Sequence, residues 1–172
     1  MRRAALYILC ISLSGCGSSS LSYKMPVQRV LPQAPDPPPL ASFIDFASGD
    51  SVDYVVRDID PTGDWRWARD HPELQFHVER EGPLRLIIDF AIADRTFQDT
   101  GPVTLTVKVN RVEVGTMRCD RGGEYHFEHP VPVELIPENG LTLVTAEANP
   151  VWVSPGDGTH FGYLIRRAGF PR

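Results

Sequence analysis

Leu84-Arg85-Leu86-Ile87-Ile88-Asp89-Phe90-Ala91-Ile92 is the stretch that decides the fold. Leu84, Leu86, Ile88, Phe90 and Ile92 take alternate places, with Arg85, Ile87, Asp89 and Ala91 between them. Successive side chains of a strand point to opposite faces, so this spacing predicts one apolar face and one mixed face. A helix would need its apolar residues three and four apart. The same period of two recurs on both sides. Val52, Tyr54 and Val56 predict a strand face, and Leu74, Phe76 and Val78 alternate with Gln75, His77 and Glu79. Val103, Leu105, Val107 and Val109 alternate with Thr104, Thr106 and Lys108.

The joints between these runs carry turn residues. Asp60-Pro61-Thr62-Gly63, Glu81-Gly82-Pro83, Arg121-Gly122-Gly123, Glu138-Asn139-Gly140 and Pro155-Gly156-Asp157-Gly158 punctuate the chain. Asn110-Arg111 between Val109 and Val112 predicts a tight hairpin, with Arg where Gly is usual. Pro130 and Pro132 predict an edge strand. Between Leu141 and Ala148 the apolar phase slips by one, which predicts a β-bulge. No segment after Ser42 has a helical period over several turns. Short antiparallel strands at even spacing predict an all-β fold, a two-sheet β-sandwich of jelly-roll type. A Cys…Trp…Cys pattern of immunoglobulin type is absent.

Ahead of that domain, the composition changes twice. Arg2 and Arg3 precede an apolar run from Ala4 to Leu13, too short for the ~20 residues of a membrane span. The run ends in Leu13-Ser14-Gly15-Cys16, which resembles the lipobox of bacterial lipoproteins. That resemblance implies cleavage before Cys16, acylation of Cys16 and attachment to the membrane through this N-terminal lipid. Gly17 in place of an aspartate implies the outer membrane of the cell envelope. From Ser18 through Pro39 the chain is rich in serine and proline without apolar period, the composition of an extended tether. The expected organisation is therefore a signal peptide over 1–15, a lipidated tether over 16–41 and a sandwich over 42–172.

Charge and cysteine use narrow the function. The formal net charge is −5, from 17 basic and 22 acidic side chains, and loss of Arg2 and Arg3 lowers it further. Such a chain is not built for nucleic acid. Removal of Cys10 and lipidation of Cys16 leave Cys119 alone, which predicts a small buried side chain at a strand end rather than a disulfide.

Three tryptophans are candidate ligand-stacking residues: Trp65, Trp67 and Trp152. On a strand, Trp65 and Trp67 share a face about 7 Å apart, as a platform for the C–H face of a sugar or as core. Arg66 is the candidate polar contact to such a ligand. Asp58, Asp60 and Asp64 superficially match a calcium loop, although Pro61 intrudes and Arg69 stands where its glutamate belongs. No other metal site and no cofactor are expected. No zinc, serine-hydrolase or phosphate-loop motif occurs, and the chain is expected not to be an enzyme. Trp65-Arg66-Trp67, the hairpin through Val107–Arg111 and Phe161-Gly162-Tyr163-Leu164 with Gly169-Phe170 together resemble the β-sandwich carbohydrate-binding modules of carbohydrate-active enzymes. The resemblance implies a glycan as partner. An envelope protein bound at a sheet edge or loop is the alternative partner.

Overall fold

In the computed structural model, residues 40–48 and 51–172 are described. The expected signal peptide, Cys16 and the Pro/Ser-rich segment up to residue 39 lie outside the described residues. The described chain runs through β1 (Phe43–Asp45), β2 (Val55–Ile59), β3 (Arg66–His77) and β4 (Leu84–Ile92). A short helix α1 (Asp94–Thr100) follows, then β5 (Val103–Val109), β6 (Val112–Cys119) and β7 (Gly123–Val131). β8 (Leu141–Asn149), β9 (Trp152–Val153), β10 (His160–Phe161) and β11 (Tyr163–Gly169) complete it.

The strands form a two-layer antiparallel β-sandwich, and β3 belongs to both layers. Its end from Glu73 to His77 pairs with β8, which pairs with β5 and then β6. Its start, Arg66 to Ala68, pairs with β11, which pairs with β4 and then β7. β2 lies along β3, and β1 along the far end of β11. Leu86, Ile88, Phe90 and Ile92 from one layer meet Val103, Leu105, Val107 and Val109 from the other in one core. Each such burial contributes about 1.5–3 kcal/mol, which is what holds the layers together.

Most joints fall where turn chemistry puts them. Asn110 and Arg111 have φ of 47° and 71°, the two positive values of a type I′ hairpin. Asn110 Nδ2 donates to the Leu135 carbonyl at 2.7 Å and its Oδ1 accepts from the Leu143 N–H at 2.9 Å, tying the hairpin to β8. β7 is an edge strand, in keeping with Pro130. Cys119 is buried at the end of β6, where desolvation and Asp120 push its thiol up to about 11.

Two local expectations are corrected. Val52–Tyr54 is a 3-10 turn, not strand, and Val52 is 66% exposed. The Leu141–Ala148 slip is not a bulge, because β8 pairs with β3 and β5 in unbroken register. Thr142 takes the inward place and its hydroxyl donates to the Gly140 carbonyl at 3.1 Å, so a polar residue fills a core position and Leu141 faces water.

The αL conformation costs an ordinary residue roughly 1–2 kcal/mol, and glycine pays only its extra backbone entropy. Arg111→Gly should therefore stabilise the domain by about 0.5–1 kcal/mol. Chemical denaturation should show a higher midpoint at unchanged slope; an unchanged or lower midpoint would mean that Arg111 makes a compensating contact.

Candidate functional site

Alternation along β3 decides what the outer face of the β11–β4–β7 layer displays. Arg66 and Ala68 point inward and are buried, so Trp67 and Arg69 point outward and are half-buried. Trp65, just before the strand, is also half-buried. Arg66 was expected beside the rings as a polar contact, and the structure puts it on the opposite side of the strand. Its guanidinium lies 4.8 Å over the Phe46 ring, bonds Ser51 Oγ and donates to the Gly63 carbonyl at 3.2 Å. A residue between two outward side chains of a strand has to face the core.

Trp67 does not stand alone. Phe161 meets it edge-on, with centroids 4.9 Å apart, and Trp152 packs on Phe161 at 5.9 Å. Trp152 and Phe161 are cross-strand partners in the β9–β10 hairpin. Gly162 lets that hairpin lie close over β3: its N–H donates to the Ala68 carbonyl at 2.8 Å, and an added Cβ would sit 3.1 Å from the Arg69 carbonyl oxygen. The result is a row of three partly exposed rings, Trp67–Phe161–Trp152; of the three candidate tryptophans Trp67 and Trp152 belong to it, and Trp65 packs elsewhere against Arg166.

Polar groups ring the row. Trp152 Nε1–H donates to Asp99 of α1 at 2.8 Å, which fixes the ring. Arg69 lies 5.5 Å over Phe161 and donates twice to Asp60 Oδ1, at 2.7 and 3.0 Å. His160 Nδ1 meets Asp70 Oδ1 at 2.7 Å away from the row, since Asp70 follows Arg69 and His160 precedes Phe161 along their strands. A carboxylate only accepts, so the proton sits on Nδ1, and the pair ties β10 to β3. Apolar ring faces edged by such donors and acceptors suit a molecule with C–H faces and equatorial hydroxyls.

The acidic loop is accounted for differently from a calcium site. Asp60 is taken by Arg69, Asp58 Oδ2 accepts the His71 N–H at 3.1 Å, and Asp64 is exposed. Among the described residues no three His, Cys, Asp or Glu side chains are grouped to hold a metal ion.

Trp65 belongs to a second cluster on the same layer. The Arg166 guanidinium lies 5.6 Å over its ring, and both line a cavity of about 240 Å³ with Asp89, Tyr125 and His126. Asp89 accepts from Arg167 at 2.6 Å and meets His126 Nδ1 at 2.5 Å. The hydrogen bond to Asp89 raises the His126 pKa above its ordinary value; partial burial opposes this, and Glu128 adds to it.

No family model and no curated protein matches the chain. Solved structures similar to it include a family 35 carbohydrate-binding module from Clostridium thermocellum, 7% identical with a TM-score of 0.44, over 76% of this chain and 98% of that one. A CBM36 carbohydrate-binding module in complex with calcium and xylotriose is 11% identical with a TM-score of 0.38, over 61% and 76%. An exo-β-1,3-galactanase from Phanerochaete chrysosporium is 9% identical with a TM-score of 0.41 over 77% of this chain, which spans only 29% of that enzyme. At such identities and scores, the site's chemistry rests on the chain's own residues.

Asp99 holds Trp152 without any sequence motif to announce it, and Phe161, part of a stretch singled out in the sequence, was not placed beside Trp67. Phe161 lies only two residues before the buried Tyr163, and the intervening Gly162 is the one local sign of a close approach.

The raised His126 pKa gives a signed prediction. Its contribution to stability is fully present below the unfolded histidine value and is lost as pH rises through the folded one. Asp89→Asn should move the His126 imidazole resonance midpoint down toward the ordinary histidine range in an NMR titration. An unmoved midpoint would show that Asp89 does not hold the proton.

Proposed function

We propose that this chain is a non-catalytic, lipid-anchored cell-envelope module that binds a glycan across the Trp67–Phe161–Trp152 row. The observation that carries the reading is three aromatic rings, partly exposed, side by side on an outer sheet face and edged by Asp60, Arg69 and Asp99. A row of apolar ring faces rimmed by polar groups is the surface pattern of a ligand groove. Burial against a sugar face supplies affinity, and Arg69 with the fixed carboxylates Asp60 and Asp99 supplies orientation. The lipobox-like Leu13-Ser14-Gly15-Cys16 supports anchoring by Cys16, and Gly17 supports the outer membrane as destination. One acyl chain binds a membrane only marginally, so stable anchoring takes more than one.

Alanine at Trp67 and at Trp152 should abolish binding to the best ligand in a panel of peptidoglycan and polysaccharide fragments. Each ring is only half-buried, so each change should cost about 2 kcal/mol of stability or less and leave a cooperative unfolding transition. Unfolded variants would reassign the rings to structure. A wild type that binds no saccharide would move the reading to a protein partner. The free edges of β6 and β7 would then be its place, beside an apolar groove that includes Leu84, Val112, Val114 and Val131.

Anchoring has its own test. Cys16→Ser should abolish labelling by radioactive palmitate and leave a precursor of higher mass; unchanged labelling would contradict the lipid claim.

A further inference from the structure

The outer face of β11 carries two consecutive arginines, which ordinary alternation forbids. Between Ile165 and Arg167 the register of β11 against β4 shifts by one. Ile165 and Ala168 both stay buried, while Arg166 and Arg167 are both exposed. A bulge re-aims a side chain in this way, and it interrupts the pairing to do so. Without the extra residue, one of the two guanidinium groups would point into the core, where burying a charge is costly unless polar partners meet it.

The two arginines are then used differently. Arg167 is neutralised by Asp89, which also holds His126. Arg166 makes no ion pair among the described residues and is braced on the Trp65 ring instead. The other groups at this cavity are largely spent. Tyr125 stacks on Phe90 at 5.5 Å and its hydroxyl donates to the Arg121 carbonyl at 2.8 Å. Glu124 on the rim forms no ion pair among the described residues.

We propose that this Arg166–Trp65 cavity is a subsite for an oxyanion group carried by the glycan: a carboxylate, phosphate or sulfate on a sugar unit. The inference rests on the glycan reading above and gives its ligand a charge. A planar guanidinium presents a fork of donors that matches such oxyanions, and stacking on tryptophan holds the fork ready at low entropic cost. Trp65 immediately precedes β3 and Trp67 is its second residue, so one short segment supplies a ring to the cavity and a ring to the aromatic row.

The test uses the full chain and one neutral oligosaccharide that it binds, compared with the same oligosaccharide bearing a carboxylate, a phosphate or a sulfate. At least one charged form should bind about tenfold tighter than the neutral one. Raising the salt concentration should erode that advantage. Arg166→Gln should remove the difference between charged and neutral forms, Arg166→Lys should keep part of it, and Glu124→Gln should enlarge it. Equal affinity for charged and neutral forms would overturn the subsite and leave the glycan reading standing. Free phosphate or sulfate bound as tightly as the charged sugar would overturn its being part of a glycan site. No binding of any saccharide would overturn both readings together.

Discussion

Strand β3 is the constraint on which the rest depends. Twelve residues run through both layers without losing the alternation of inward and outward side chains, apart from a half-exposed Asp70 on the inner face. Ala68, Leu74 and Phe76 tie the two layers into one core. The same alternation turns Trp67 and Arg69 outward, onto the face where Phe161 and Trp152 arrive. Structure and candidate site are therefore two sides of one strand. A shift of its register by one residue would bury the rings and expose the core at once.

The outer face is built by departures from regular sheet. Gly162 permits the close crossing that brings the β9–β10 hairpin over β3. The bulge in β11 puts Arg166 and Arg167 on one side. α1 supplies Asp99, which holds Trp152 by its indole N–H. Each departure is small, and each positions a group that a flat sheet would have placed elsewhere. Bulges and glycine crossings of this kind concentrate where a fold presents side chains for use.

How much of this could be read in the sequence depends on the range of the interaction. The strands β4 and β5 were plain, because their apolar residues alternate without interruption. The Asn110-Arg111 hairpin was plain for a local reason, the tolerance of Asn for positive φ. β8 misled because Thr142, a polar residue, occupies an inward place once its hydroxyl finds the Gly140 carbonyl. Val52 and Val56 misled in the opposite way, as apolar side chains left in water at 66% and 45% exposure. For Arg66, the rule that put Trp65 and Trp67 on one face already required the residue between them to face the core. Phe161 stands in a stretch singled out in the sequence, but its contact with Trp67 and the bond from Trp152 to Asp99 were beyond reach, since they join residues far apart along the chain.

A Trp67–Phe161–Trp152 row that receives ligand and one that is an exposed flank of the core differ in which nuclei respond to a saccharide. The most direct measurement is chemical-shift mapping with a saccharide found to bind, following the three indole N–H resonances and the backbone amides. Ligand on the row should give the largest changes at the Trp67 and Trp152 indoles and at the amides of His160, Phe161 and Arg69, with the β6 and β7 edges unmoved. Changes confined to residues such as Val112, Val114 and Val131, with the indoles still, would contradict it.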